Sequence, residues 1–133
     1  MPHLTSTEIA GRIEDLYGAP LPGLTAHAQE QPPGMLHALL NMHTALAAAE
    51  QSTHFHRDRL AQLVQPGRAI GGPEVSHVLD CARRLAEAVA VRDVQAVTAT
   101  AVLQSLTRTP APPPAAPPPV PSATAAAPPA PSR

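Results

Sequence analysis

The sequence has almost no aromatic residues, with one Phe, one Tyr and no Trp. A hydrophobic core must therefore consist of aliphatic side chains and alanine, which favours helices packed on helices over a β-sheet. Lysine is also absent, and nine arginines face ten acidic residues, for a formal net charge of -1. This balance provides no overall field that would attract nucleic acid or an anionic membrane.

Cysteine and long apolar runs are scarce as well. The single Cys81 excludes an internal disulfide, and we expect a buried, inert thiol because no base lies near it in the sequence. The N-terminus shows neither the basic nor the apolar segment of a secretion signal, and no apolar run is long enough to cross a bilayer. We therefore expect a cytoplasmic protein that does not associate with membranes.

Capping signals and apolar spacing predict three helices. Residues 5–8 read Thr-Ser-Thr-Glu, a capping box that begins a short helix over about 6–17. Four prolines within residues 18–34 then predict a long irregular connection. Apolar residues at helical spacing predict a central helix over about 35–65 and a third helix over about 74–107. The glycines and prolines of residues 66–73 predict the turn between them.

The apolar faces of the two long helices must be buried against another structural element. Their short connection predicts an all-α fold built on an antiparallel helical hairpin, with the N-terminal helix packed across it. Because alanine buries little area, the hairpin would be only marginally stable, so we expect a homo-oligomer or pairing with another helical protein. On the third helix, the residues predicted to face the core are Val75, Val78, Leu79, Ala82, Leu85, Ala86, Val89, Ala96, Val97 and Leu103.

The C-terminal residues differ sharply in composition from the rest. Residues 109–133 contain eleven of the eighteen prolines, together with Ala, Ser and Thr. Such a segment cannot bury apolar surface, and its composition predicts a disordered spacer that populates polyproline II. The predicted division is a helical domain over residues 1–108 and a disordered Pro/Ala-rich tail over residues 109–133.

The first candidate site lies on the central helix. At about 100° per residue, His43, Glu50 and His54 share one face, and imidazole and carboxylate groups bind transition metals. The alternatives are a hydrogen-bonded polar layer in the apolar seam, a metal shared between two chains, or catalysis by His54 as a base oriented by Glu50. A di-iron centre would need Glu-x-x-His motifs on separate helices, which are missing. We therefore predict no metal or cofactor, and these three residues are the candidates should one bind.

A group of arginines near the predicted turn forms the second candidate surface: Arg57, Arg59, Arg68, Arg83 and Arg84. Acidic residues interrupt this group, and stacking aromatics are nearly absent, so nucleic acid is not the expected partner. The open interpretations are a solvated helix face, a phosphate-binding surface and a protein-interaction surface.

Three short stretches carry resemblances to known families. Residues 4–10, Leu-Thr-Ser-Thr-Glu-Ile-Ala, resemble the start of the positioning helix in helix-turn-helix regulators, but the Gly/Pro-rich residues 18–23 predict no recognition helix. Residues 36–46, with the turn and the Ala/Arg-rich helix that follow, are similar to small helical domains of unknown function from high-GC actinobacteria. That resemblance implies a shape and a lineage but no activity. The long hairpin also resembles small secreted hairpins of the WXG type, although residues 66–72 lack a Trp-x-Gly.

The sequence contains no catalytic constellation, nucleophile elbow or glycine loop that would cradle a phosphate. The leading hypothesis is therefore a non-enzymatic helical interaction or assembly protein. One alternative is a small DNA-associated accessory or regulatory factor that uses the arginine group. Another is a metal-binding helical protein that uses the candidates on the central helix.

Overall fold

The computed structural model describes residues 3–107, which form four α-helices. They are α1 (Ser6–Tyr17), α2 (Leu21–Glu30), α3 (Met35–Leu63) and α4 (Gly72–Thr107). No strand occurs within residues 3–107, so the prediction of an all-α fold is confirmed for this part of the chain. The predicted disordered tail lies outside the described residues.

The first helix begins and ends as its sequence predicts. The Thr5 hydroxyl accepts a hydrogen bond from the Glu8 amide at 3.2 Å, and the Thr5 amide donates to Glu8 Oε2 at 2.7 Å. These two bonds form the capping box and satisfy backbone donors that a helix start leaves unpaired. At the other end, Gly18 adopts a left-handed conformation with φ 71° and donates to the Glu14 carbonyl. Only glycine takes this conformation without strain.

The prediction of an irregular connection over residues 18–34 is wrong, because α2 occupies Leu21–Glu30. Pro20 is the N-cap residue and Pro22 lies in the first turn, where the missing N–H has no helical partner to lose. Leu24 and Ala28, one helical turn apart, are both buried and hold α2 against the rest of the protein. The prolines therefore occupy the start of a helix and do not prevent it.

The two long helices pack against each other over much of their length. Residues 64–71 join them, and the Cys81 thiol near the start of α4 donates to the carbonyl of His56 in α3 at 3.3 Å. Cys81 is buried, as predicted. Within residues 3–107, no helix combines the length and hydropathy that crossing a membrane requires.

The core lies where α1 and α2 cover one end of the α3–α4 pair. Its largest side chains, Ile9, Ile13, Leu39, Leu46 and Leu103, are completely or almost completely inaccessible to solvent. Leu24, Ala96 and Ala99 belong to the same cluster. Aliphatic residues and alanine therefore build this core, in line with the scarcity of aromatic residues.

The predicted core-facing residues of α4 are only partly correct. Ala96 and Leu103 are buried, but Val75, Leu79, Ala86 and Val97 are exposed. The residues of α4 that are buried are Cys81, Ala88, Ala96, Ala99 and Leu103. The prediction failed because α4 carries apolar side chains on nearly every side, so spacing alone does not identify the side that meets α3.

Candidate functional site

The carboxylate of Glu50 binds the N-terminus of α1. Its Oε1 accepts a hydrogen bond from the Ser6 amide at 2.8 Å, and its Oε2 accepts one from the Ser6 hydroxyl. A negative group is favourable here because the first amides of a helix are unpaired and the helix dipole is positive at this end. Sequence reasoning identified Glu50 but missed Ser6, because the two residues are 44 positions apart and on different helices.

The cleft beside this contact has a volume of about 520 Å³. The residues that line it are Thr5, Ser6, Thr7, Ala47, Glu50, Gln51, His54 and Arg92. Both hydrogen bonds of the Glu50 carboxylate come from Ser6, and none comes from His54 or Arg92. Arg92 instead binds the Asp93 carboxylate at 2.9 Å. His43, half-buried on the same helix, does not line this cleft. The predicted polar layer is therefore split, and its glutamate fastens α1 to α3.

No set of three or more His, Cys, Asp or Glu side chains that could hold a metal ion occurs within residues 3–107. His43, Glu50 and His54 thus do not come together as a ligand set. Both carboxylate oxygens of Glu50 already accept hydrogen bonds from Ser6. Metal binding by these residues would have to compete with the attachment of α1.

The arginine group does not form a uniformly positive surface. Arg83 and Arg84 both bind the carboxylate of Asp80, at 2.9 and 3.0 Å. The hydrogen bond from Arg83, with a smaller contribution from the charge of Arg84, lowers the pKa of Asp80. Arg68 donates to the Gln62 carbonyl at 3.3 Å.

The two remaining arginines of the group lie on α3. Arg57 and Arg59 are exposed, and neither has a hydrogen bond or ion pair with another described residue. Within this group of five arginines, the free guanidinium groups are thus confined to α3. A surface that binds a nucleic-acid backbone needs several unpaired cationic side chains along one face, each of which neutralises a phosphate.

The α1–α2 pair bears on the resemblance to helix-turn-helix regulators. The structure has a helix at residues 21–30, where the sequence predicted that no recognition helix could form. That helix reads Leu-Pro-Gly-Leu-Thr-Ala-His-Ala-Gln-Glu and contains no arginine. Recognition helices use basic and amide side chains to contact phosphates and base edges. A second helix therefore follows α1, but arginine, the side chain that contacts DNA bases most often, does not occur in it.

Among the described residues 3–107, an apolar surface without a packing partner lies on the side of α4 opposite its buried residues. The side chains of Leu79, Val94 and Val97 are 65%, 63% and 52% exposed. At about 100° per residue these three align with four further exposed residues in a single stripe. We call this stripe the outer face of α4, and it comprises Leu79, Arg83, Ala86, Ala90, Val94, Val97 and Ala101.

The outer face carries a single charged residue, Arg83, whose guanidinium is already held by Asp80. The stripe extends over about 33 Å at the helical rise of 1.5 Å per residue. A helix that is apolar on both its core side and its opposite side is normally buried on both. The described residues of this chain cover only the core side of α4 and leave the outer face exposed.

A shallow groove of about 350 Å³ runs between α3 and α4 beside the outer face. Its lining consists largely of small or apolar residues, namely Ala45, Ala48, Ala49, Ser52, His56, Arg84, Glu87, Ala88 and Val91. Within α4, Val91 is one turn from Val94, so the groove continues onto the outer face.

No family model, curated protein or solved structure matches this chain. The resemblance of residues 36–46 to actinobacterial helical domains therefore stays a prediction. The function must be argued from the geometry described above.

Proposed function

We propose that this protein is a non-enzymatic helical assembly protein, which pairs with a second copy of itself through the outer face of α4. The observation that carries the proposal is the exposure of Leu79, Val94 and Val97 on a helix whose opposite side already forms core. The proposal treats α3 and α4 as the antiparallel hairpin that the sequence predicts. The contact between Cys81 and His56 and the short connection at residues 64–71 support that arrangement.

Charge supports a second copy as the partner. The formal net charge of -1 creates almost no repulsion between identical chains. The outer face itself contributes one arginine, which is neutralised within its own chain. A partner with a strong charge of either sign would gain little on such a surface.

The size of the outer face sets the expected strength of the association. Burying a Leu or Val side chain completely contributes about 1.5–3 kcal/mol. Three such residues per copy, each already partly buried, give a gain on the order of 5–10 kcal/mol for the pair. Association itself costs roughly 4–15 kcal/mol. At the favourable end of both ranges the net gain is about 6 kcal/mol, so we expect a weak, reversible dimer that forms only at concentrations of about 40 µM or more.

The arginine group supports nucleic-acid binding less well than the outer face supports helix pairing. Two of its five members share one aspartate, and α2 contains no arginine. If nucleic acid were the partner, filter binding at two salt concentrations would show affinity that falls steeply with salt. Apolar helix pairing predicts no such dependence.

The expected place of action is the cytoplasm, as the cysteine content suggests.

Sedimentation velocity over a concentration series tests the proposal. The wild-type protein should shift from monomer to dimer as its concentration rises through the micromolar range. Val94→Glu should remain a monomer, because dimerisation would bury an unpaired carboxylate. Val64→Glu is the matched control, since Val64 is similarly exposed but lies at the end of α3, away from the outer face. A wild-type protein that stays monomeric at hundreds of micromolar, or a Val94→Glu variant that still dimerises, would refute the proposal.

A further inference from the structure

Residues on one face of a helix recur at 4, 7 and 11 positions on either side of a central member, so two outer faces can be paired antiparallel about Ala90. That register places Ala86 against Val94, Arg83 against Val97, and Leu79 against Ala101. From this arrangement we infer that two copies pair their α4 helices antiparallel, with a two-fold axis passing beside Ala90. The inference rests on the proposed self-association and specifies how the two copies meet.

Side-chain size favours this orientation. In the antiparallel pairing, Leu79 of one copy meets Ala101 of the other, and Val94 meets Ala86. Leu79 and Val94 therefore each face an alanine, and large side chains opposite small ones interdigitate without leaving gaps. In a parallel pairing with equal residues opposed, Leu79 would meet Leu79 and Ala86 would meet Ala86. Contacts between two large residues would then alternate with gaps between two small ones, and such gaps lose packing energy.

Charge favours the same orientation. A parallel pairing opposes Arg83 to Arg83, and two like charges in contact destabilise a helix pair. The antiparallel pairing separates the two Arg83 residues by 14 positions along the axis, or about 21 Å. That distance exceeds the Debye length of about 8 Å at physiological ionic strength. Val97 of the second copy can then pack on the aliphatic part of Arg83, whose guanidinium is held by Asp80.

The residue on the axis also suits close approach. Ala90 is exposed and small, and alanine at a crossing point allows two helices to approach to about 8 Å. Two-fold pairing is self-complementary, since each copy presents the same stripe, and it closes at two chains without further growth. The pair would therefore bring two copies of Ala90 side by side.

Disulfide crosslinking with variants that each add one cysteine to the native Cys81 tests the orientation, because a disulfide forms only when Cα atoms come within about 7 Å. The variants Ala90→Cys, Leu79→Cys and Ala101→Cys all change exposed residues, and each is oxidised above the dimerisation concentration. Ala90→Cys should form a covalent dimer of twice the monomer mass. Leu79→Cys and Ala101→Cys should each stay at the wild-type level when alone but form a mixed dimer when combined. The wild-type chain, with Cys81 buried, gives the background level.

Two outcomes separate this inference from the proposed function. If the variants sediment as dimers but Leu79→Cys crosslinks with itself and Ala90→Cys does not, the helices pair in parallel and the antiparallel inference fails. If crosslinking occurs at Ala48→Cys in the α3–α4 groove instead, the copies meet through that groove, and both the proposed role of the outer face and the antiparallel inference fail. If the wild-type chain sediments only as a monomer, the proposed self-association itself fails. Circular dichroism of each variant confirms that the helices are retained.

Discussion

The two ends of the α3–α4 pair differ in what covers them. At the covered end, α1 and α2 pack on the long helices, and Ile9, Ile13 and Leu39 are completely buried. At the open end, where residues 64–71 join α3 to α4, the buried residues are Thr53, Leu63 and Cys81. The exposed apolar side chains at that end are Phe55, Val64, Ile70, Val75 and Leu79.

This difference indicates that the covered end contributes most of the stability of the fold, whereas the open end leaves apolar side chains exposed. Two helices alone enclose few large side chains, so the open end exposes apolar groups that a third and fourth helix hide at the covered end. The outer face of α4 extends along both ends, because neither α1 nor α2 covers that side. The added helices therefore stabilise the fold without closing the surface proposed for assembly.

Truncation of a buried leucine at each end should give the largest effect and measure the difference directly. Leu39→Ala should lower the free energy of unfolding by about 4 kcal/mol, since Leu39 belongs to the main core. Leu63→Ala should cost about 2 kcal/mol, because a cavity at the open end can collapse or fill with water. Urea denaturation of both variants, below the dimerisation concentration, provides the measurement. Equal losses at the two positions would show that the two ends are equally well packed.

Removal of the carboxylate that fastens α1 should have an intermediate effect. Glu50→Gln keeps the size of the side chain but removes its charge and one acceptor, so the bonds from Ser6 weaken. We expect a loss of about 1 kcal/mol in the free energy of unfolding, with faster amide exchange in α1. Glu87→Gln on the exposed surface of α4 is the control and should change neither quantity. A similar effect of the two substitutions would mean that the Ser6 contact does not hold α1 in place.

The residues explain which parts of this architecture can be predicted from the sequence. α1 could be placed because Thr5, Glu8 and Gly18 form signals that act within a few residues. The local signals of Pro20 and Pro22 do not decide the structure, since proline is compatible either with a loop or with the first turn of a helix. The prediction of an irregular connection was wrong for this reason. In the folded protein this segment is a helix, and its Leu24 and Ala28 are buried against other helices. Contacts of this kind cannot be read from the residues of one short segment.

The candidate site was predictable only in part, for the same physical reason. Glu50 stood out because it is an acidic residue among apolar neighbours, but its partner Ser6 is distant in the sequence. On α4, the apolar spacing fits two opposite faces, and only the position of α3 shows which of them is core. Leu79 and Val97 were consequently assigned to the core, although they belong to the face that the fold leaves uncovered.

Acid titration should give the smallest effect and sharpen the comparison of the two ends. Hydrogen bonds from the Thr5 amide and hydroxyl lower the pKa of Glu8 at the covered end, and the bond from Arg83 lowers that of Asp80 at the open end. A carboxyl group with a lowered pKa stabilises the folded state above its unfolded pKa. This stabilisation is lost as the pH falls through the folded value, below about pH 4. Both contributions therefore disappear towards acid.

The substitutions Glu8→Gln and Asp80→Asn each remove one of these contributions, and the thermal midpoint measured from about pH 6 to about pH 3 compares them. Glu8→Gln should flatten the acid dependence more, because Gln can keep the capping box but removes the carboxylate whose protonation loosens α1 and with it the core residues Ile9 and Ile13. Asp80 lies on an exposed surface, where its ion pairs hold no other element in place, so Asp80→Asn should change the midpoint little. A larger effect from Asp80→Asn would mean that the open end contributes more to cooperative unfolding than its sparse core indicates.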